Sequence, residues 1–257
     1  MTVISGVDYA WQHPGGAALK AAGKQFVCRY LSGDPSKNIG HAEAVDLAEH
    51  GISIVCVWET TARRALAGRS AGESDARQAH SQAVTAGMPA DRPIYFAVDW
   101  DAQPDQQDEI ADYLDGAAAV LGRARVGIYA GYWPLSRALN ERSAAWAWQT
   151  VAWSGGHWDP RAHIRQAGGV RIAGVSCDLN TARRPDFGQW TPGHGPSTPH
   201  ASTGAGARTY HVVKSGETLS GIAEHFHVAG GWRQLQQWNH IKNPSLIVPG
   251  QKVYLQA

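Results

Sequence analysis

Short hydrophobic runs recur along the first 190 residues, separated by stretches whose apolar positions follow a helical spacing. The runs Val3–Asp8, Gln25–Leu31, Ile52–Trp58, Ile94–Asp99, Arg125–Tyr129, Ala147–Ala152, His163–Gln166 and Gly174–Asp178 have the length and composition of buried strands. Between the first five lie amphipathic stretches punctuated as helices. His41–His50 is stopped by Gly51, and Ser74–Ala86 by Gly87. The next has Pro104 near its first turn and Gly122 just past its end. Strands alternating with helices imply a parallel sheet. Eight strands in this length predict a compact α/β (β/α)8 TIM-like barrel whose later helices are reduced or missing. A doubly wound sheet is the competing topology.

The strand ends carry the chemistry. The first run closes on Asp8, the third on Glu59, the fourth on Asp99 with Asp101 beyond it, and the fifth on Tyr129; the sixth carries Gln149, the seventh ends on Gln166 and the eighth on Asp178. In a barrel of parallel strands these ends meet at one mouth, where barrel enzymes place their active sites. Residues i and i+2 of a strand share a face, so Asp99 and Asp101 are expected to aim into one space, with Trp100 turned away. Burial and mutual repulsion both oppose such a pair, and would keep one of the two carboxyls protonated near neutrality. That division of roles is what general acid catalysis of glycoside cleavage needs. The structural alternatives are an N-cap role for Asp101 and a pairing of Glu59 with Arg63 or Arg64. Tyr129, Gln149 and Gln166 are candidate hydrogen-bonding contacts to sugar, and Trp11 and Trp100 candidate stacking faces, as are Trp58, Trp133 and Trp153.

After Trp190 the composition changes. Thr191–Ala207 consists of small residues, Pro and Gly, with no side chain able to anchor a core. The expected organisation is therefore a barrel over 1–190, a flexible linker over 191–208 and a small unit over 209–257. That last unit reads as strand, helix capped by Thr218 or Ser215, a second helix near Trp232–Trp238, and a closing strand.

Gly6-Val7-Asp8, Asp99-Trp100-Asp101, Gly127-Ile128-Tyr129 and Cys177-Asp178-Leu179-Asn180 together resemble the family 25 glycoside hydrolases, lysozyme-type muramidases with a barrel fold. Phe26–Leu31 and Tyr95–Asp99 are closer to a related glycoside-hydrolase-like family of unknown function found in actinobacteria and their phages. The resemblance implies Asp8, Asp99 and Asp178 as supporting acids and Asp101 as proton donor, at a position where the muramidases carry Glu. Glu59 is a longer acid in the same mouth and an alternative donor. An N-acetyl group of the substrate serving as nucleophile is a further route.

Tyr210–Ala223, Trp238-Asn239 and Leu246–Leu255 resemble a LysM domain. That resemblance implies binding of N-acetylglucosamine-containing glycan between Gly216, Glu217, Thr218, Leu219 and Asn243, Pro244, Leu246, Ile247. The whole chain resembles an actinobacteriophage endolysin. Its expected partner is bacterial peptidoglycan, and its expected setting is the host cytoplasm before lysis, then the cell wall. A wall-binding protein without turnover, and a hydrolase of another wall polysaccharide such as arabinogalactan, are the competing functions.

Composition narrows these readings. Of 257 residues 43% are hydrophobic and 18% charged, with a net charge of +1, which lacks the basic excess of a nucleic-acid binder. No apolar run is long enough to span a bilayer, so no membrane insertion is expected. The first eight residues lack the pattern of a Sec-type signal peptide. Eleven Trp against four Phe favour sugar-stacking surfaces, although core packing accounts for many. The three cysteines lie in strand-like runs and read as buried thiols, with a Cys28–Cys56 bridge as the alternative. Twelve His form no H-E-x-x-H or C-x-x-C pattern, which argues against a zinc amidase. No Gly-rich phosphate loop follows a strand. Neither metal nor cofactor is expected, and the protein is expected to be a monomer.

Overall fold

The computed structural model describes residues 4–192 and, of 210–255, all but 215, 227, 229, 240, 242, 245, 246 and 249. The chain forms two compact units, residues 1–200 and 201–257. Of the expected linker, residues 193–208 lie outside the described set. Pro192 still packs in the first unit, beside Gly87.

In the first unit, β1 (Ile4–Asp8), β2 (Phe26–Leu31), β3 (Ser53–Trp58), β4 (Ile94–Ala97), β5 (Val126–Ala130), β6 (Trp146–Thr150), β7 (Ile164–Ile172) and β8 (Val175–Ala182) close in chain order into a barrel. Helices α1 (Gly16–Ala21), α2 (His41–Glu49), α3 (Gly68–Ala86), α4 (Gln107–Leu121) and α5 (Tyr132–Glu141) cover its outside. No α-helix separates β6 from β7 or β7 from β8, so the later helices are indeed missing.

One strand departs from the parallel barrel read from the sequence. β1 to β7 pair in parallel, but β8 runs antiparallel to both neighbours. The cause is local: Ala173 and Gly174 form the link with φ of 49° and 82°, the left-handed pair of a tight hairpin turn. A parallel return would need a crossover of a dozen residues or more. Asp178 therefore lies within a strand rather than at its end, directly opposite Asp8. It still reaches the mouth, because β8 descends from the side where β1 ends. A bulge between Gln166 and Gly169, with Gly168 at φ 67°, lets β7 continue past the rim.

Alternate residues of the strands fill the interior, among them Phe26, Cys28, Val55, Tyr95, Tyr129 and Trp148. The glycines of the Gly-Val-Asp and Gly-Ile-Tyr motifs leave room for them: a Cβ on Gly6 would stand 2.5 Å from the Phe26 ring, and one on Gly127 2.7 Å from that of Tyr95. The end of the barrel away from the mouth is closed by the segment leading to Trp190, which exchanges two backbone hydrogen bonds of 2.8 Å with Ile54. Outside, α3 and α4 touch backbone to backbone. A Cβ on Gly72 would lie 1.9 Å from the Tyr113 carbonyl oxygen, and one on Gly116 2.0 Å from that of Arg69. Beneath them Asp75 accepts two bonds of 2.8 Å from Arg64 and a third of 2.8 Å from Tyr113. All three cysteines are free thiols. Cys28 faces the interior and Cys56 the helix layer, so the alternation of the strands holds the two apart.

The second unit has the βααβ order expected of it: β9 (Tyr210–Val212), α6 (Leu219–His225), α7 (Gly231–Trp238) and β10 (Lys252–Tyr254), with β9 and β10 antiparallel. Thr218 caps α6, accepting from the Gly221 N–H at 3.1 Å. Leu219, Ile222, Ala223, Leu235 and Val253 are its core, under Val213.

Candidate active site

Asp8 ends β1 buried, with its side chain turned into the barrel. Its carboxylate accepts from the Gln166 amide at 2.8 Å, the Asn180 amide at 2.7 Å and the Tyr30 hydroxyl at 3.2 Å. Asn180 is in turn fixed by the Trp148 indole at 2.8 Å, and Gln166 by the Tyr129 hydroxyl at 2.8 Å. Burial pushes the Asp8 carboxyl up to about 7; the three donors oppose that rise and the charge of Asp178 adds to it. Asp178 is exposed on the rim, and partial desolvation raises its own carboxyl.

A second group of acids lies on the β3–β4 side. Burial raises the half-buried Asp99, the charge of Glu59 adds to the rise, and Lys37 opposes it. Glu59 accepts from the Lys37 ammonium at 2.5 Å, and that ammonium also sits 4.0 Å from the centre of the Tyr30 ring. Tyr129 stands between the two groups: burial holds its hydroxyl protonated, reinforced by the charges of Asp99, Asp8 and Glu59. The mouth thus carries Asp8 with Asp178 and Asp99 with Glu59, joined through Tyr30 and Tyr129.

An open cleft of about 460 Å³ borders the first pair, lined by Asp8–Gln12, Tyr30 and Val175–Asp178. Trp11 lies in its wall, 66% exposed, its indole N–H bonded to Asp34 at 3.1 Å. A second hollow of about 320 Å³ runs from Thr150–Ala152 to Gln166–Gly168 and also ends on Asp178. An extended ligand lying across the mouth would pass Asp178 and the Asp8–Gln166 bond.

Seven of the residues singled out from the sequence meet here: Asp8, Glu59, Asp99, Tyr129, Gln166, Asp178 and Trp11. Three do not. β4 ends at Ala97, so the alternation of side chains does not extend to Asp101, which is exposed and is not among the charges acting on Asp99. Trp100 is buried in the helix layer with its indole N–H on Gln106 at 2.9 Å. Gln149 points out of the barrel, since its neighbour Trp148 points in. Its amide bonds the His157 carbonyl at 2.8 Å and the Asp159 N–H at 2.9 Å, bracing the β6–β7 loop. Arg64 is committed to Asp75, leaving Glu59 to Lys37. Of the other tryptophans, Trp58 is buried, while Trp133 and Trp153 are exposed beyond β5 and β6.

Sequence reading overlooked Tyr30, Asn180 and Lys37. Asn180 had a usable signal, because it is i+2 from Asp178 on the same strand. Tyr30 had one too, i+2 from the apolar Cys28. Lys37 had none: it lies in a loop, and its pairing depends on the folded chain.

In the second unit Glu217, Thr218, Leu219, Pro244 and Ile247 line one cleft of about 390 Å³, together with Ser220 and Trp232, which the sequence did not single out. Gly216 borders an adjoining hollow, Asn243 is not in the cleft wall, and Leu246 lies outside the described residues. Among the described residues no group of three or more His, Cys, Asp or Glu is placed to hold a metal ion, and no helix is long and apolar enough to cross a membrane.

In sequence and fold the chain is similar to known proteins. The chain is 32% identical over 200 residues, 72% of its length and 82% of the other's, to the Mycobacterium tuberculosis protein named "Putative peptidoglycan hydrolase Rv2525c". A crystal structure of that Tat-secreted protein with L-tartrate superposes with a TM-score of 0.70 at 30% identity, covering 74% of this chain and 100% of that one. The modular autolysin LytC of Streptococcus pneumoniae shares the fold, with a TM-score of 0.51 at 16% identity over 70% of this chain and 46% of that one. The C-terminal unit is 48% identical over 54 residues to the Bacillus subtilis N-acetylmuramoyl-L-alanine amidase XlyA, a match covering 21% of this chain and 17% of that protein. Residues 211–256 match the LysM domain model, and residues 17–182 match that of the Rv2525c-like, glycoside hydrolase-like domain. The chain therefore belongs to the Rv2525c-like, glycoside hydrolase-like family and carries a LysM domain at its C-terminal end.

Proposed function

We propose that this protein hydrolyses a glycosidic bond of bacterial peptidoglycan, with the barrel as the lysozyme-like catalytic unit and the LysM domain as its wall anchor. The observation that carries this reading is the pair of acid groups on opposite sides of Tyr30 and Tyr129, each containing a carboxyl raised by burial. A glycosidase needs one protonated carboxyl and one negative charge facing the oxocarbenium-like transition state. Asp99 supplies the proton. Asp178 supplies the charge, joined by Asp8 once pH has risen through about 7, with Asp8 held still by its three donors. The bond between the anomeric carbon and the bridging oxygen breaks, and the oxygen takes the Asp99 proton. The carbon takes the oxygen of a water molecule, whose proton returns to a mouth carboxylate. Asp101, exposed and not among the charges acting on Asp99, has no part in the transfer.

The relatives support the substrate. One is named for peptidoglycan hydrolysis, and the C-terminal unit matches a protein named as an N-acetylmuramoyl-L-alanine amidase. Tethering the barrel to an insoluble polymer raises its effective concentration there without any new contact. A phage endolysin, released from the host cytoplasm to the wall at lysis, is the setting that joins these parts.

The test is digestion of purified peptidoglycan by the parent, Asp99→Asn and Asp101→Asn, following reducing ends and the mass of released fragments. New reducing ends from the parent and Asp101→Asn, but not from Asp99→Asn, are expected. No reducing ends from the parent would remove the catalytic reading. The position of Asp101 favours one second reading, a wall-binding barrel without turnover, since the strand lacks a second inward acid. It predicts wall binding that persists with no fragments released.

A further inference from the structure

Cys28 and Tyr30 of β2 face the barrel interior, so Arg29 between them faces out, and it is fully buried there. A buried guanidinium needs a counter-charge and a partner for its N–H groups. Glu43 of α2 supplies the charge, accepting at 2.7 and 3.2 Å. The remaining donors go to two loops of the mouth: to the Tyr9 carbonyl and the His13 ring of the β1–α1 loop, and to the Lys37 carbonyl of the β2–α2 loop. The guanidinium also lies 4.5 Å from the centre of the Tyr9 ring. Tyr9, Trp11 and Gln12 of the first loop wall the cleft beside Asp8 and Asp178. Among the described residues, residues 10–14 of that loop make no backbone–backbone hydrogen bond. Side chains hold it instead: Arg29, Asp34 on the Trp11 indole at 3.1 Å, and Asp46 on the Gly16 N–H at 2.7 Å.

The His13 contact fixes the protonation state of that ring. Arg29 Nη2 stands 3.0 Å from His13 Nε2, and a guanidinium can only donate, so Nε2 accepts. The ring proton is then on Nδ1, which stands 3.3 Å from Glu43 Oε2. A second proton would set two donors against each other at Arg29, and the ring would swing away from it. We propose that Arg29 is a positioning residue for the cleft, gripping the Trp11 loop through neutral His13, so that acid releases this wall of the site. The consequence for catalysis rests on reading the cleft as the place where the glycan lies. Protons reach the ring, since 36% of its side chain is exposed. Burial lowers the His13 pKa, Glu43 opposes that and Arg29 adds to it, which puts the release on the acid side of 6.5. The other groups around the ring are committed. Glu43 holds both Arg29 and the Tyr9 hydroxyl, and burial keeps that hydroxyl protonated. Asp46 of α2 pairs with His50, and Lys37 meets Arg29 only through its backbone oxygen at 3.4 Å. Asp34 is held below the usual carboxylate range by Ser36 and Trp11, so its grip on Trp11 does not change in this window.

Two signals test the clamp, one from the ring and one from the wall. Nitrogen-15 NMR of His13, assigned by its loss in His13→Gln, is expected to show Nδ1 protonated and Nε2 bare at neutral pH. Fluorine-19 NMR of protein carrying 5-fluorotryptophan follows Trp11, assigned by its loss in Trp11→Phe. The Trp11 signal is expected to move with the His13 titration as pH falls. In His13→Gln, whose side-chain oxygen can still accept from Arg29, it is expected to keep its neutral-pH position. In His13→Ala it is expected to hold the acid position throughout. A proton on Nε2 at neutral pH, or a Trp11 signal that does not follow His13, overturns the proposal. So does one that moves alike in the parent and His13→Gln, which would assign the movement to the acids of the cleft. On peptidoglycan the parent's apparent KM is expected to rise about threefold from pH 7 to pH 5, the contribution of roughly one hydrogen bond. That rise is expected to be absent from His13→Gln, with kcat following the same profile in both. An equal rise in His13→Gln would overturn the link to the glycan. A parent without turnover would remove the catalytic reading, while the two NMR signals would still decide whether the clamp exists.

Discussion

The Gln166 side chain donates to the Asp8 carboxylate at 2.8 Å across 158 residues of sequence. With its other end accepting from Tyr129 at 2.8 Å, it ties β1, β5 and β7 together beneath the mouth. A bond of this kind favours the ionised form of Asp8 and opposes the burial that pushes it toward the neutral one. Replacing Gln166 by Ala removes the donor and leaves the burial. The Asp8 titration is then expected to move upward from about 7, as read by carbon-13 NMR, and any pH limb of activity that depends on Asp8 to move with it. A titration unchanged in Gln166→Ala would mean that the bond carries no electrostatic weight.

Asp8 makes stability fall as pH rises. Its carboxyl goes from an ordinary 3.8 to about 7 on folding, so between those values the folded chain keeps a proton that the unfolded chain releases. The stabilisation from this group is full below 3.8 and lost once pH has risen through about 7, at most about 4 kcal/mol. Asp8→Asn has no such dependence, and its amide can still meet the Tyr30 hydroxyl. Melting curves are expected to show the variant more stable than the parent at pH 8, with a smaller advantage or none at pH 4. Equal advantages at both pH values would contradict the shift.

Asp99→Asn and Asp101→Asn are expected to part company. Loss of the proton donor costs on the order of 10²-fold or more in kcat. Loss of an exposed carboxylate away from the reacting group changes it less than about threefold, within ±0.5 kcal/mol. Reducing-end assays on peptidoglycan make the comparison, and the reverse order would return the donor role to Asp101.

The contact of α3 with α4 permits no side chain at Gly72 or Gly116, because a Cβ at either would fall on a backbone carbonyl of the opposite helix, at 1.9 and 2.0 Å. Backbone cannot rotate aside as a side chain can, so the helices must separate. Gly72→Ala is expected to cost at least about 3 kcal/mol and to lower the melting temperature by roughly 6–12 °C. A Gly122→Ala control probes a different cost, since its φ is 81° but nothing lies within 4 Å of its Cβ.

Much of the barrel was legible because its signals are local. Eight runs of suitable length, helix punctuation at Gly51, Gly87 and Gly122, and polar residues at the strand ends all depend on neighbours a few positions away. The same locality explains the misses. Asp101 follows the i+2 rule only if β4 continues, and β4 stops at Ala97. The direction of β8 turns on two left-handed residues, Ala173 and Gly174, of which only the glycine advertises that conformation. Gln149 lies one position from the inward-facing Trp148, and a shift of one residue moves a strand side chain to the opposite face.

By itself the sequence determined where acids would gather, which segments would be strands, and that a LysM unit follows the barrel, since periodicity and motif spacing are written along the chain. Tertiary structure decided which acids share an environment. Asp8 meets Gln166 and Asn180, Glu59 meets Lys37 rather than Arg63 or Arg64, and Asp99 is influenced by Glu59 rather than by Asp101. Those relations depend on burial and on distances of a few ångströms between segments far apart in the chain. Protonation is set by those distances, so the roles of the acids emerge only when the barrel closes.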